Sequence, residues 1–303
     1  MRIAFLLRSL VIMSLIPAAG SAQGNPGIDS TGLPGDNFSL QGALALFEKA
    51  QSPEGFEQLL NTESNHVNNL DLNEDGEIDY LRVIHNQKDD AHVFIIQAIV
   101  SEKENQDVAV IGLEKTGDTT AVLQITGDED IYGETVIVEP GEADSETARL
   151  SFTGDEISHG PAMGYPDYSP GIIINVWFWP TVRFIHTPAY VTWRSPYRWR
   201  HYPGWWRPWR PLRWHAFRPH HYHHHHRFSV VRTHRVVHAR RIYTPLRVTS
   251  STVRTRHSTS VNNYRVTRTR TTVTGPRGHQ ATRKSTTVRG KNGKVKVTKT
   301  RRR

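Results

Sequence analysis

The sequence predicts an α+β domain, two short N-terminal helices on an antiparallel β-meander, followed by a long, largely disordered basic tail of low complexity. Three observations predict it. Five apolar, β-branched runs lie between residues 78 and 138, separated by polar clusters too short for crossover helices. Two segments with helical apolar spacing stand directly before them. Charge then splits the chain: all 29 acidic residues lie at or before Asp167, whereas 30 of the 38 basic residues follow it. The net charge of +9 conceals two halves of opposite sign.

Residues 1–22 read as a secretory signal peptide: Arg2 supplies the charged start, Leu10 to Ile16 the apolar run, and Gly20 and Ala22 the small residues before a cut. The apolar run is too short to span a bilayer, so no transmembrane helix is expected after its removal. Cysteine is absent, which excludes disulfides and a lipid-modified cysteine. The expected location is the bacterial envelope: periplasmic, cell-surface or secreted. Residues 23–38, rich in Gly, Pro, Asp and Ser, read as a disordered lead-in.

The α+β domain is expected over residues 39–140. Leu40, Leu44 and Phe47 recur at helical spacing, and Ser52-Pro53 offers an N-cap and first-turn proline to a second helix burying Phe56, Leu59 and Leu60. The strands follow at Ile78 to Ile84, Val93 to Val100, Val108 to Leu113, Ala121 to Ile125 and Val136 to Val138. Val93 to Val100 is apolar on both faces except at Gln97, so it belongs in the sheet centre. From Ala121 onward, alternation with Gln124 and Thr126 suggests one solvated face.

Residues 141–171 form an acidic Gly/Pro linker. Residues 172–218 are Trp-, Arg- and Pro-rich, and all eight tryptophans lie between Trp177 and Trp214. Repeated prolines favour extended chain there, while Ile172 to Trp193 fits a docking strand, a short helix broken at Pro180, or an interface anchor. Residues 219–303 begin with a histidine run and continue in Arg/Thr/Val alternation, with too little apolar surface to offset chain entropy. Asn292-Gly293 marks one local hairpin.

The sharpest chemical pattern is Asp71-x-Asn73-x-Asp75-Gly76-x-x-Asp79. Oxygen ligands at alternate positions, a glycine at the turn, and the Glu77 backbone carbonyl suit a hard cation such as calcium. Arg82 stands where an EF-hand places its bidentate Glu, and the flanks read as strand. The pattern resembles EF-hand loops and, more closely, the calcium-binding hairpin loops of FG-GAP repeats. That resemblance covers about a dozen residues and implies Asp71, Asn73, Asp75 and Asp79 as side-chain ligands, with Glu77 contributing its carbonyl. The export signal, Phe56 to Asn61, the cation loop, Ile131-Tyr132-Gly133 and the Trp/Pro/Arg-rich continuation together resemble an uncharacterised family of exported bacterial envelope proteins, which implies the architecture but no activity.

Arg198, Arg200, Trp205, Trp206, Arg207, Trp209, Arg210 and Arg213 combine phosphate-neutralising charge with aromatic planes, the chemistry of polyanion binding. For an exported chain the partners are lipopolysaccharide, anionic lipid or extracellular DNA; the acidic half of the same chain is the competing partner. His220, His221, His223, His224, His225 and His226 suit zinc, copper or nickel. Catalytic signatures are missing: no thiol, H-E-x-x-H, G-x-S-x-G or P-loop occurs, and His66, His85, His92 and His159 stand alone. The expected protein is non-enzymatic. Metal handling is the alternative, and a hydrolase with an unassigned carboxylate pair is the third reading.

Overall fold

The computed structural model describes residues 30–141 and 174–264, and the strand backbones of 266–274, 280–290 and 293–302. The signal segment, residues 23–29, His159 and residues 142–173 lie outside the described residues. Among the described residues the architecture is α+β: seven helices and a six-stranded antiparallel sheet whose strands neighbour one another in chain order. Strands β1 (Leu81–Lys88), β2 (Ala91–Ile99), β3 (Asn105–Gly117), β4 (Thr120–Gly127) and β5 (Val136–Pro140) form the meander. Strand β6 (Phe228–Val231) joins it from beyond the linker, with Val138 opposite Val230. A separate three-stranded antiparallel sheet comprises β7 (Val266–Thr274), β8 (Gln280–Gly290) and β9 (Gly293–Arg302), and Val288 pairs with Val295 across its second hairpin.

Strand β2 is buried along its whole length because both sheet faces are covered. Helices α1 (Leu40–Lys49) and α2 (Pro53–Leu60) are capped by the Ser39 and Ser52 hydroxyls, which accept from the amides of Gly42 and Gly55. They pack Leu44, Phe47, Phe56 and Leu60 against Val83, Phe94, Ile96, Ile111, Leu123 and Ile125. The short helix α3 (Glu129–Tyr132) ends at Gly133, whose φ of +73° makes the left-handed cap.

The opposite sheet face corrects two sequence expectations. It is not solvated: Val93, Ile95 and Val110 pack against Val236 and Ala239, which enter with helix α6 (Val237–Tyr243). Gln124 is buried there, accepting from the Arg235 amide and donating to Glu139 and the Thr233 carbonyl. Residues 174–264 are also not a disordered tail. They form α4 (Pro180–Ile185), α5 (Trp214–Tyr222), β6, α6 and α7 (Ser251–Asn263), and bury Val176, Val182, Trp206, Phe217, Phe228 and Val253. Chain entropy is offset because the missing apolar and acidic partners lie on the preceding half of the same chain. Arg227 pairs with Glu48 at 2.7 Å, Arg235 with Glu139 at 3.0 Å, Arg247 with Asp128 at 2.6 Å, and Arg256 with Glu74 at 3.3 Å.

Two smaller corrections follow from local chemistry. Pro180 does not break a helix; it starts α4 at the first turn, where its missing N–H costs nothing. Residues 30–38 are ordered, because the Asp36 carboxylate accepts from the Ser30 and Thr31 hydroxyls (2.6 and 2.8 Å) and the Gly32 amide (3.0 Å).

Candidate binding edge and cation loop

The free edge of β1 determines where the Trp/Arg-rich segment runs. Arg194 bridges antiparallel to Ile84; the His85 amide donates to Trp193 O (2.9 Å) and the Ser195 amide to Val83 O (3.1 Å). Farther along, the Arg82 guanidinium reaches Tyr197 O at 3.4 Å, and the Ile78 amide donates to Trp209 O at 2.8 Å. The segment therefore lies along the sheet edge as an added, irregular strand.

Exposure alternates along this strand with a period of two. Trp193, Ser195, Tyr197 and Trp199 are half-buried, whereas Arg194, Pro196, Arg198 and Arg200 are exposed. Inward, Tyr80, Ile99 and Trp206 form a small core flanked by Tyr197, Trp199, Tyr202 and Trp209, with Tyr80 and Trp206 at 5.0 Å in an edge-to-face contact. Outward, Arg194 and Arg198 begin a file of exposed arginines along the chain that includes Arg200, in the tight Arg198–His201 turn at φ +60°, and then Arg207, Arg210 and Arg213. None of these six pairs with a carboxylate among the described residues, in contrast to Arg227, Arg235, Arg247 and Arg256.

The eight residues expected to contact a polyanion thus separate by direction. Arg198, Arg200, Arg207, Arg210, Arg213 and Trp205 are exposed; Trp209 is half-buried; Trp206, 3% exposed, is core.

Glu57, which the sequence did not single out, anchors the edge. Its carboxylate accepts from the Val83 amide (2.7 Å), the Tyr80 and Ser195 hydroxyls (both 2.8 Å) and the Trp193 indole N–H (3.4 Å). Burial raises its pKa, against those four hydrogen bonds. The legible signal was helical spacing: Glu57 shares an inward face of α2 with Pro53, Phe56 and Leu60.

His85 and His92, which stand alone in sequence, meet in space. His85 is fully buried, continuing the inward alternation of Leu81 and Val83. The Tyr190 hydroxyl accepts from the Trp193 amide at 3.0 Å and hydrogen-bonds His85 Nδ1 at 2.7 Å. His85 Nε2 and His92 Nδ1 share a hydrogen bond at 3.1 Å, and the His186 ring lies 4.8 Å from that of His92. Burial, then the neighbouring imidazoles, lower His85 to about 3 and His92 to about 4. His92 receives a small opposing contribution from Asp90.

In the Asp71–Asp79 loop, Gly76 adopts φ +87° and the carboxylates turn onto backbone amides. Asp71 accepts from Asp75 N and Gly76 N (3.1 and 2.9 Å), Asn73 from Asp75 N (3.0 Å), Asp75 from Glu77 N (3.0 Å), and Asp79 from Leu72 N (2.6 Å). Burial raises Asp71 and, well above the usual carboxylate range, Asp79, on which Asp71 and Asp75 add repulsion. Arg82 points away along the sheet, donating to Gln97 Oε1 at 2.9 Å. The loop is tied to the Trp/Arg-rich segment on both sides: Asn69 pairs with Leu212 at 2.7 and 2.9 Å, and Ile78 with Trp209.

The histidine run divides. His221 and His225 are buried and lowered by burial to about 4 and about 3. His220, His223 and His224 instead line an open cavity of 650 Å³ with His66, whose ring stacks on His220 at 3.9 Å. His226 is exposed. Among the described residues, no three His, Asp or Glu side chains converge as a ready metal cage. A second cavity of 250 Å³ lies under α6, lined by Asp128, Tyr243 and Arg247 among others. Carboxylates here are engaged: Arg247 grips Asp128, while Asp107, raised to about 6 by burial, accepts from Gln97 (2.6 Å), the Val248 amide (2.9 Å) and Tyr243 (3.1 Å).

No family model, curated protein or solved structure matches this chain. No helix among the described residues is long and apolar enough to cross a membrane.

Proposed function

We propose that this is an exported, non-enzymatic protein of the bacterial envelope whose cationic, aromatic edge holds anionic surface material. The observation that carries the reading is the file of exposed arginines from Arg194 to Arg213, with no carboxylate partner among the described residues, on a backbone fixed to β1 and Glu57. Arg227, Arg235 and Arg247 of the same half are paired with carboxylates of the sheet domain, whereas the edge arginines keep their charge available to an external partner. Lipopolysaccharide, anionic lipid and extracellular DNA share the required phosphates. In this reading, the two N-terminal helices and the meander are the folded platform, and the acidic half also serves as the internal partner of residues 227–256.

The all-oxygen donor set of Asp71, Asn73, Asp75 and Asp79, with the Glu77 carbonyl, suits calcium, which would offset the repulsion that Asp71 and Asp75 add to Asp79, a carboxylate raised chiefly by burial. Its role is structural: the loop's flanks hold Leu212 and Trp209. Full-chain thermal unfolding is predicted to shift upward with calcium more than with magnesium. The shift should be reversed by chelator and absent in Asp75→Ala; an unchanged midpoint in the wild type counts against the site. For the edge, Arg194→Glu/Arg198→Glu/Arg200→Glu is expected to weaken binding to lipopolysaccharide at least about tenfold in moderate salt. Equal binding would remove the edge as the reader.

Transition-metal handling is the second reading, favoured by the addition of His66 to the cavity of His220, His223 and His224. Calorimetric titration with Zn²⁺, Cu²⁺ or Ni²⁺ should then give stoichiometric uptake that His66→Ala weakens; graded, weak uptake counts against it.

A further inference from the structure

The exposed apolar side chains identify which anionic partner the edge takes. Every large hydrophobic residue exposed among the described residues lies between Phe178 and Val248; the sheet half has none. The two most exposed, Phe178 at 66% and Val191 at 83%, stand before and after α4 on the stretch of chain that leads into the edge, and Phe184 at 41% lies between them in sequence. Helix α4 turns Thr181, Val182 and Ile185 into the core, which leaves Arg183 and Phe184 outward. The Phe184 ring meets Tyr190 edge-on at 5.4 Å, Val191 follows Tyr190, and Arg194 begins the arginine file three residues later. Arg183 and Arg194 make no ion pair with a carboxylate among the described residues.

This arrangement exceeds what a soluble polyanion needs. Phosphates on DNA or a saccharide are met by arginine alone and offer no apolar phase in which Val191 and two phenylalanines lose water. A lipid layer offers both: acyl chains accept the apolar side chains, while anionic headgroups pair with cations at the same depth. Long arginine side chains extend to the headgroups beside an inserted apolar tip. The backbone under the tip is fixed by the Tyr190–His85 hydrogen bond and the Arg194–Ile84 bridge, so little order is lost on insertion.

We propose that Phe178, Phe184 and Val191, flanked by Arg183 and Arg194, form an insertion tip that seats the binding edge in a phospholipid bilayer bearing anionic headgroups. The proposal rests on the reading of the arginine edge as an anion-binding face and names its partner.

The test uses residues 23–303, so that the apolar run of the expected signal segment does not itself bind lipid. Co-sedimentation is measured with vesicles of phosphatidylcholine containing phosphatidylglycerol, with phosphatidylcholine alone, and against binding of a short DNA duplex. Wild type is expected to partition onto the anionic vesicles, and Phe178→Ser/Phe184→Ser/Val191→Ser to partition at least about tenfold less. Duplex binding by the triple variant should stay at the wild-type level, and its tryptophan emission and melting should match wild type, because all three residues are exposed. Vesicle binding unchanged in the triple variant overturns the insertion tip, as does a wild type that binds duplex but not vesicles; in both cases the arginine edge stands. A wild type that binds neither overturns the edge and the tip together.

Discussion

Buried polar side chains govern the local energetics, with Glu57 the clearest case. Its four donors come from a strand, the strand's start and the edge segment, so a single carboxylate fixes three pieces of chain. Glu57→Gln presents an amide N–H to groups that can only donate, or prefer to, and is predicted to cost about 3 kcal/mol in urea unfolding. His85 and His92, like the buried His221 and His225, contribute acid sensitivity. Their folded pKa values, about 3 and about 4, lie below the ordinary 6.5, so they fold neutral. As pH falls below 6.5 the unfolded chain takes up the protons first, and stability is lost progressively toward pH 4 and then 3. By pH 5 each imidazole removes at most about 2 kcal/mol. Asp107 works oppositely: its raised folded value of about 6 means that acid relieves its burial cost. The comparison that isolates the histidines is therefore His92→Gln against wild type, in which the urea midpoint should fall less between pH 7.5 and 5; parallel curves would remove His92 from the acid response.

Elements fit through close approaches that no single residue type advertises. Gly112 lets α6 lie against β3: a Cβ there would meet Val236 Cγ2 at 2.8 Å and Ala239 Cβ at 3.0 Å. Gly112→Val is predicted to cost about 1 to 3 kcal/mol and to speed exchange of α6 amides ahead of those in β2. In sequence Gly112 is only a gap in an apolar run, because its partner is more than a hundred residues away. The strands of the meander were legible, since period-two alternation and short polar turns are local signals. The sixth strand was not, because Phe228 to Val231 is only four residues, interrupted by Ser229, beside a histidine tract. The arginines of the edge were legible by composition, but their direction was not. The inward-outward order of residues 193–200 exists only once β1 supplies an edge to pair with.

At the scale of the molecule, the two oppositely charged halves form one folded unit through partly buried arginine–carboxylate pairs and a second apolar core. A chain ending at Asp167 loses β6, the packing of α6 on Val93, Ile95 and Val110, and the cover over β1. It is predicted to unfold without a cooperative transition or to associate, as read by circular dichroism and light scattering; a cooperative monomer would show that the C-terminal half is dispensable for folding. Charge composition suggested that the halves attract, yet could not separate the arginines consumed internally from those left outward. That separation is the central claim, and the salt dependence of binding tests it most directly. Binding to anionic vesicles, measured from about 0.05 to about 0.5 M salt, should show a steep loss for wild type and a markedly shallower slope for Arg194→Glu/Arg198→Glu/Arg200→Glu. Identical slopes for the two proteins would contradict it.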